Sequence, residues 1–245
     1  MLTRYDRQRY DRQIMIGEIG ESGQEKLKKA VVFIAGAGGL GSPVALYLAA
    51  AGVGTLRIVD DDTVTLSNLN RQILHGDDDI GKNKVDSAAG ALQKLNPTVK
   101  LACLPETISA AGVVGLVRGA DLVVDAMDNL ETRILLNRAA LDLGIPLFHG
   151  AVNGFEGRAM TVIPGKTACL GCLIRGIPPR ETFPVIGVAP AVIGAIQATE
   201  VIKYITGIGR LLAGRLLRYD GLNLEFSEFK IKKNPECRHC GRSKI

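Results

Sequence analysis

The chain has 245 residues, 47% hydrophobic and 22% charged, with a formal net charge of +5. That supplies one sizeable core, or one and a half, in a globular protein. The charged start has no secretory pattern, the apolar stretch 183–198 carries Pro184 and Pro190 and is too short to span a membrane, and no basic stripe is interleaved with aromatics. A cytoplasmic enzyme with no membrane or nucleic-acid partner is the expectation.

The chain opens on a direct repeat, Arg4-Tyr5-Asp6-Arg7-Gln8 then Arg9-Tyr10-Asp11-Arg12-Gln13. It is too short for a structural repeat and reads as a charged surface arm, or as one that presents an arginine to a phosphate. Residues 18–29 suit a short amphipathic helix. The apolar run 30–35 reads as a buried parallel strand. Gly36-Ala37-Gly38-Gly39-Leu40-Gly41 follows and opens the helical run 42–51. A strand, a glycine-rich turn and a helix together give this G-x-G-x-x-G pattern its meaning, a phosphate cradled at a helix N-terminus. Asp60, after the apolar run 55–59, is placed to hold a ribose hydroxyl. Alone, these features would suggest NAD.

The polar segment 61–81 is a loop of roughly 20 residues, a length that is usually functional. Residues 82–95 read as a helix, 99–104 as a strand, 109–118 as a helix, 121–125 as a strand, 130–143 as a helix and 145–148 as a strand. This alternation makes a doubly wound parallel sheet. After Gly150 the rhythm changes. Residues 157–163 read as a strand, 164–179 as a loop, and 188–205 as a helix. Runs 214–220 and 222–232 form a hairpin around Asp220-Gly221. The expected fold is α/β, a Rossmann-like, doubly wound and mainly parallel sheet extended by antiparallel strands. One domain is expected over 1–245, with a nucleotide-binding part (1–150) and a part for partner and metal (151–245).

Four of the five cysteines form two C-x-x-C pairs, Cys169/Cys172 and Cys237/Cys240. Two such knuckles complete a closed tetrahedral zinc site, structural rather than catalytic. A redox pair or four buried reduced thiols are the alternatives. His239 reads as a bystander and Cys103 as an inert buried thiol. Asp60, Asn68, Arg71, Lys84 and Asp128 lie on or after different strands at one sheet edge. Arginine and lysine beside phosphates, with a carboxylate at a later strand end, suit nucleotidyl transfer, where developing charge is met by cations and Mg²⁺. No G-x-x-x-x-G-K-[ST] is present, so a P-loop is excluded.

Arg-Tyr-x-Arg-Gln, Gly-x-Gly-Gly-x-Gly, Asp60-x-Asp62, Ser67-Asn68-Leu69-Asn70-Arg71-Gln72, Gly81-Lys82-x-Lys84, Asp125-x-x-Asp128-Asn129 and the paired C-x-x-C appear in this order. In these motifs the chain resembles the ThiF/MoeB/HesA family, closest to the MoeB type, from about Arg9 to Cys240. The resemblance implies ATP-dependent adenylation of the C-terminal glycine of a small ubiquitin-like sulfur carrier ending in Gly-Gly. It implies that Gly36, Gly38, Gly39 and Gly41 line the nucleotide and that Asp60 holds the ribose. Asn68, Arg71 and Lys84 contact phosphates. Asp128 holds Mg²⁺, flanked by Asn129, and Asp62 assists with metal. An N-terminal arginine, Arg12 in preference to Arg7, reaches across a homodimer into the partner's site.

The loop 180–187 lacks the cysteine that some members carry there, and no fused rhodanese domain is expected. The expectation is adenylation alone, with sulfur arriving from a separate donor protein. The other readings are a relative acting on a threonylcarbamoyl group of tRNA, a non-catalytic carrier-binding adaptor and, last, a dehydrogenase.

Overall fold

The computed structural model describes residues 1–174 and 183–241. Its eight strands are β1 (Val31–Ala35), β2 (Thr55–Val59), β3 (Lys100–Leu104), β4 (Leu122–Asp125), β5 (Leu147–Asn153), β6 (Glu156–Val162), β7 (Arg215–Asp220) and β8 (Glu225–Lys230). They form one sheet in the order β3-β2-β1-β4-β5-β6-β7-β8. β1 to β5 are mutually parallel, with Val32 opposite both Leu56 and Leu122. From β5 onward each pairing is antiparallel.

The helices are α1 (Arg4–Arg9), α2 (Asp11–Ile14), α3 (Gly20–Lys29), α4 (Gly41–Ala50), α5 (Lys84–Leu95), α6 (Val113–Val117), α7 (Leu130–Leu143), α8 (Leu170–Leu173) and α9 (Val188–Thr206). Successive strand residues point to opposite faces. Val32 and Ile34 of β1 therefore meet Leu27, Leu48, Leu92 and Val201 of α3, α4, α5 and α9. Phe33 and Ala35 meet Val117 and Leu136 of α6 and α7 on the other face. Burial on both faces is why these strands read as unbroken apolar runs. α9 is long and apolar enough to cross a membrane by length and composition, but here Ala198 and Val201 pack it into the core.

Several boundaries differ from the sequence reading. The N-terminal repeat is helical rather than a loose arm. Thr3 caps α1, its hydroxyl accepting the Asp6 N–H while the Asp6 carboxylate accepts the Thr3 N–H at 2.7 Å and pairs with Lys28. β5 runs on to Asn153 because Ala151 pairs with Arg158 of β6. α5 begins at Lys84, since a bridge between Thr63 and Asn83 holds the chain before it extended. α6 begins only at Val113, after a turn in which Ser109 Oγ accepts the Gly112 N–H. The first C-x-x-C sits on the short helix α8, with Cys169 at its N-cap and Cys172 within it, rather than in an irregular loop. The polar loop holds two 3-10 turns, Leu66–Asn68 and Asp77–Asp79. β8 starts later than expected because the Asp220 carboxylate accepts the Leu222 and Asn223 N–H groups and fixes the turn.

Candidate active site

The candidate residues gather beyond the carboxyl ends of β1, β2 and β4, where open α/β sheets bind ligands. The turn from β1 to α4 depends on two of its glycines. Gly36 adopts a φ of +97°, and a Cβ on Gly41 would lie 1.9 Å from Gly36 O. Gly38 is roomier, with nothing nearer than Gln72 Nε2 at 3.6 Å from a Cβ there, and Gly39 faces Arg71 and Pro190. No side chain caps α4. Within its first turn the Ser42 N–H bonds Gly38 O, Pro43 has no N–H and the Val44 N–H bonds Leu40 O, so it is the helix dipole and the backbone of the glycine loop that favour an anion here.

Asp60 is tied beneath this loop. One carboxylate oxygen accepts the Ala37 N–H at 2.7 Å and the other the Asp62 N–H at 2.9 Å. Burial raises its pKa, and the nearby Lys84 charge opposes the rise. His75 clamps the loop from the other side. Its Nε2 lies 3.0 Å from Ala37 O and its Nδ1 2.8 Å from Ser87 Oγ. The carbonyl can only accept, so Nε2 carries the proton. Burial and the Lys84 charge lower the His75 pKa and keep the ring neutral.

Lys84 stands at the first turn of α5, 5% exposed. Its Nζ pairs with Asp62 at 2.7 Å. Asp62 is thereby the counter-ion of Lys84. Asp60, Asp61 and Asp62 also bring carboxylate oxygens within 4.8 Å of one another. Asn68 lies in the 3-10 turn and its Oδ1 accepts the Thr65 N–H at 3.2 Å. Arg71 folds back on Ser67 O and Asn70 Oδ1. Gln72 is buried, and its Oε1 has no hydrogen-bond partner among the described residues.

Asp128 is exposed after β4, and among the described residues its only side-chain hydrogen-bond neighbour is Asn129 Nδ2 at 3.4 Å. Asn129 caps α7, accepting the Thr132 N–H at 2.9 Å. The segment bearing Asp128 is held firmly. Asp125, fully buried, accepts the Met127 N–H and, at 2.7 Å, the His149 Nδ1–H. Arg133 donates to Met127 O, and Gln197 donates to Asp125 O at 2.8 Å. Local spacing did not reveal His75, Gln72 or the Asp125–His149 pair. Asp125 and Gln72 carry a signal as members of the quoted motifs, whereas His75 and His149 carry none.

The two candidate arginines of the repeat differ. Arg7 is committed to Glu21 at 2.8 Å and to Leu2 O. Arg12 is exposed and has no hydrogen bond or ion pair among the described residues.

The two knuckles meet at the far side of α7. Cys169 and Cys237 sulfurs are 3.7 Å apart, Cys172 and Cys240 sulfurs 3.4 Å, and all four lie within 4.8 Å of one another. A tetrahedral zinc with Zn–S bonds of about 2.3 Å places its sulfurs about 3.8 Å apart, so the cluster has the size of a Cys₄ site. The His239 ring lies against Gly171 instead of joining the sulfurs. Cys103 sits in β3, half-buried, its thiol pushed up to about 11 by burial and by Asp86. Of the loop 180–187, residues 180–182 lie outside the described residues.

A doubly wound sheet with an uncapped glycine turn, a carboxylate beneath it and cations at the same edge defines a nucleotide-binding protein built to handle phosphates. The ThiF family model matches residues 10–239, and the chain belongs to that family. The SAMP-activating enzyme E1 of Haloferax volcanii is 44% identical over 243 residues, covering 97% of this chain and 90% of that protein. The sulfur carrier protein adenylyltransferase of Thermus thermophilus is 42% identical over 250 residues, covering 98% and 92%. Among solved structures, E. coli MccB with ATP matches with a TM-score of 0.83 at 26% identity, covering 89% of this chain and 68% of that one.

Proposed function

We propose that this adenylyltransferase of the ThiF family activates the C-terminal glycine of a small MoaD/ThiS-like sulfur carrier. The carrier carboxylate attacks the α-phosphorus of ATP, the bond to the β-phosphate oxygen breaks, and an acyl-adenylate and pyrophosphate result. The observation that carries this reading is the meeting of three groups at one sheet edge: the uncapped N-terminus of α4, Asp60 beneath its loop, and the buried Lys84. The names of the two relatives support the substrate class.

In this reading Gly36 and Gly41 shape the turn, while Gly38 and Gly39 leave room for phosphates and the carrier's slim tail. Asp60, anchored by two N–H groups, faces the ribose. Arg71, Asn68 and Lys84 meet the phosphates, Lys84 exchanging its bond to Asp62 for one to ATP. Asp128, whose exposed carboxylate lacks a strong partner, is the residue that would hold Mg²⁺, with Asn129 setting the helix start beside it. Bound there, Mg²⁺ supplies charge that offsets the build-up on the attacked phosphate. Arg12 extends this positive field from the partner subunit of a homodimer, since Arg7 is already spent on Glu21. Cys169, Cys172, Cys237 and Cys240 would hold structural zinc. Sulfur comes from a separate donor protein, and the residues 151–245 receive the carrier.

ATP–pyrophosphate exchange tests the reading. Exchange dependent on a carrier ending in Gly-Gly, and abolished by Asp128→Ala with the fold retained, is the expected result. Failure of the intact chain with every such carrier, with molybdopterin- and thiamine-type carriers included, would falsify it.

A further inference from the structure

Ala37, buried in the glycine turn, has both of its polar backbone groups taken by side chains. Its N–H goes to Asp60 at 2.7 Å, and its carbonyl accepts from His75 Nε2 at 3.0 Å. At a regular helix start that carbonyl would accept the N–H four residues on, as Gly38 O accepts the Ser42 N–H. His75 takes the place of that backbone bond, and the Gly41 N–H is left free.

The direction of this bond has a consequence one residue further on. A trans peptide is planar, with its C=O and N–H pointing opposite ways, and no peptide bond among the described residues is cis. With Ala37 O held towards His75, the Gly38 N–H points away from it. Ala37 and His75 are buried, whereas Gly38 and Gly39 are only half-buried, so the carbonyl side is the interior and the N–H side the open edge. Ser42 repeats the device, its hydroxyl donating to Gly38 O at 2.7 Å and turning the Gly39 N–H the other way. The N–H groups of Gly38, Gly39, Leu40 and Gly41 have no hydrogen bond among the described residues. Successive free N–H groups of this kind bind anions. The His75 ring is itself anchored, its Nδ1 accepting the Ser87 hydroxyl at 2.8 Å. Ser87 stands one turn beyond Lys84 on the same helix.

We propose that His75 is a positioning residue for nucleotide recognition: by holding the Ala37 carbonyl it fixes the Ala37–Gly38 peptide with the Gly38 N–H turned towards a phosphate. This rests on the adenylation reading above for the nucleotide it names. His75 touches no phosphate and acts through the loop, and its anchor on α5 ties the loop to the helix that carries Lys84.

Two variants separate positioning from packing. The amide of His75→Gln reaches the place of Nε2 and can still donate to Ala37 O, whereas that of His75→Asn reaches only the place of Nδ1 and meets Ser87. Each loses one buried hydrogen bond, so both lower the melting temperature. Calorimetric titration without carrier should show ATP binding about tenfold weaker in His75→Asn and within about threefold of the parent in His75→Gln. Adenosine, which has no phosphate, should displace ATP with an affinity changed less than about twofold in both. Equal losses for ATP and adenosine, equal losses in the two variants, or unchanged ATP affinity in His75→Asn would overturn the proposal and leave adenylation standing. An intact chain that binds ATP and shows this pattern, yet exchanges pyrophosphate with no carrier, would sink the adenylation reading and keep His75 in its place. No ATP binding by the intact chain overturns both.

Discussion

The two ends of the sheet treat their polar groups in opposite ways. At the edge beyond β1, β2 and β4, side chains are tied to backbone: Asp60 to Ala37 and Asp62, His75 to Ala37, Asp125 to Met127, Asn129 to Thr132. Around β6 to β8 charged side chains pair instead with one another at the surface, Arg218 with Glu156 and Arg215 with Glu228. Every residue of β8 is exposed, including Phe226 and Phe229. The first region is shaped before its ligand arrives, which lowers the ordering cost of binding. The second exposes an edge strand with two phenylalanines, a surface of the kind that another molecule can cover. A nucleotide is the same on every turnover, whereas a protein partner brings its own shape and charge.

The comparison breaks most easily at Lys84. Lys84→Met removes the buried cation and leaves Asp60 and Asp62 facing each other. Carrier-dependent exchange should fall by about 10²–10³-fold, measured beside the melting temperature to separate chemistry from folding. A loss of less than about threefold would remove Lys84 from the phosphate site.

Cys240→Ser tests the opposite end. Loss of a structural metal costs about 4 kcal/mol or more, which lowers the melting temperature by roughly 8–16 °C at this chain size. Metal analysis should give one zinc per chain for the parent and none for the variant. Equal melting curves with and without a chelator would show that the four thiols hold the fold unaided.

Two glycines of one loop sharpen the contrast between shape and binding. Gly41→Ala forces a methyl against Gly36 O and should cost about 1–3 kcal/mol or more in urea unfolding. Gly38→Ala meets nothing closer than 3.6 Å, so stability holds while the KM for ATP rises about tenfold. The reverse pattern would exchange their roles.

The smallest effects come from groups outside both ends. A hydrogen bond from Lys82 and another from the Gly76 N–H lower the Asp79 carboxyl to about 2. The folded value is depressed, so its stabilisation is present above the unfolded pKa of about 3.9 and is lost as pH falls from there towards 2. Asp79→Asn should cost about 1 kcal/mol at pH 6 by urea unfolding, with the gap to the parent closing below pH 4. Cys103→Ser should leave exchange unchanged, since a thiol raised to about 11 by burial is a poor nucleophile at neutral pH. Loss of adenylate formation with the fold retained would give Cys103 a role in the reaction.

What could be read from sequence follows the range of the interactions. The strands, the glycine turn and the knuckles are local patterns, and their residues announce them. The Asp125–His149 pair is set by register between parallel strands joined through α7, and no spacing rule reports it. β5 was cut short because Gly150 and Asn153 break an apolar run, yet pairing with β6 carries the strand through both. The helical start is not legible in the arginine repeat because its cap, Thr3, lies outside it. Asn68, Asn129 and Asp62 are legible as candidate site residues, but not as residues engaged with Thr65, Thr132 and Lys84.

The strand order also sets a schedule for synthesis. All five parallel strands lie between Val31 and Asn153, so their sheet can pair completely before α9 has left the ribosome. Until then Val32, Ile34 and Phe148 await Ala198 and Val201 on one face. Cys169 and Cys172 emerge before α9, β7 and β8, and Cys237 and Cys240 after them. The second knuckle thus works as a latch drawn last, closing the antiparallel end onto a parallel half that is already built.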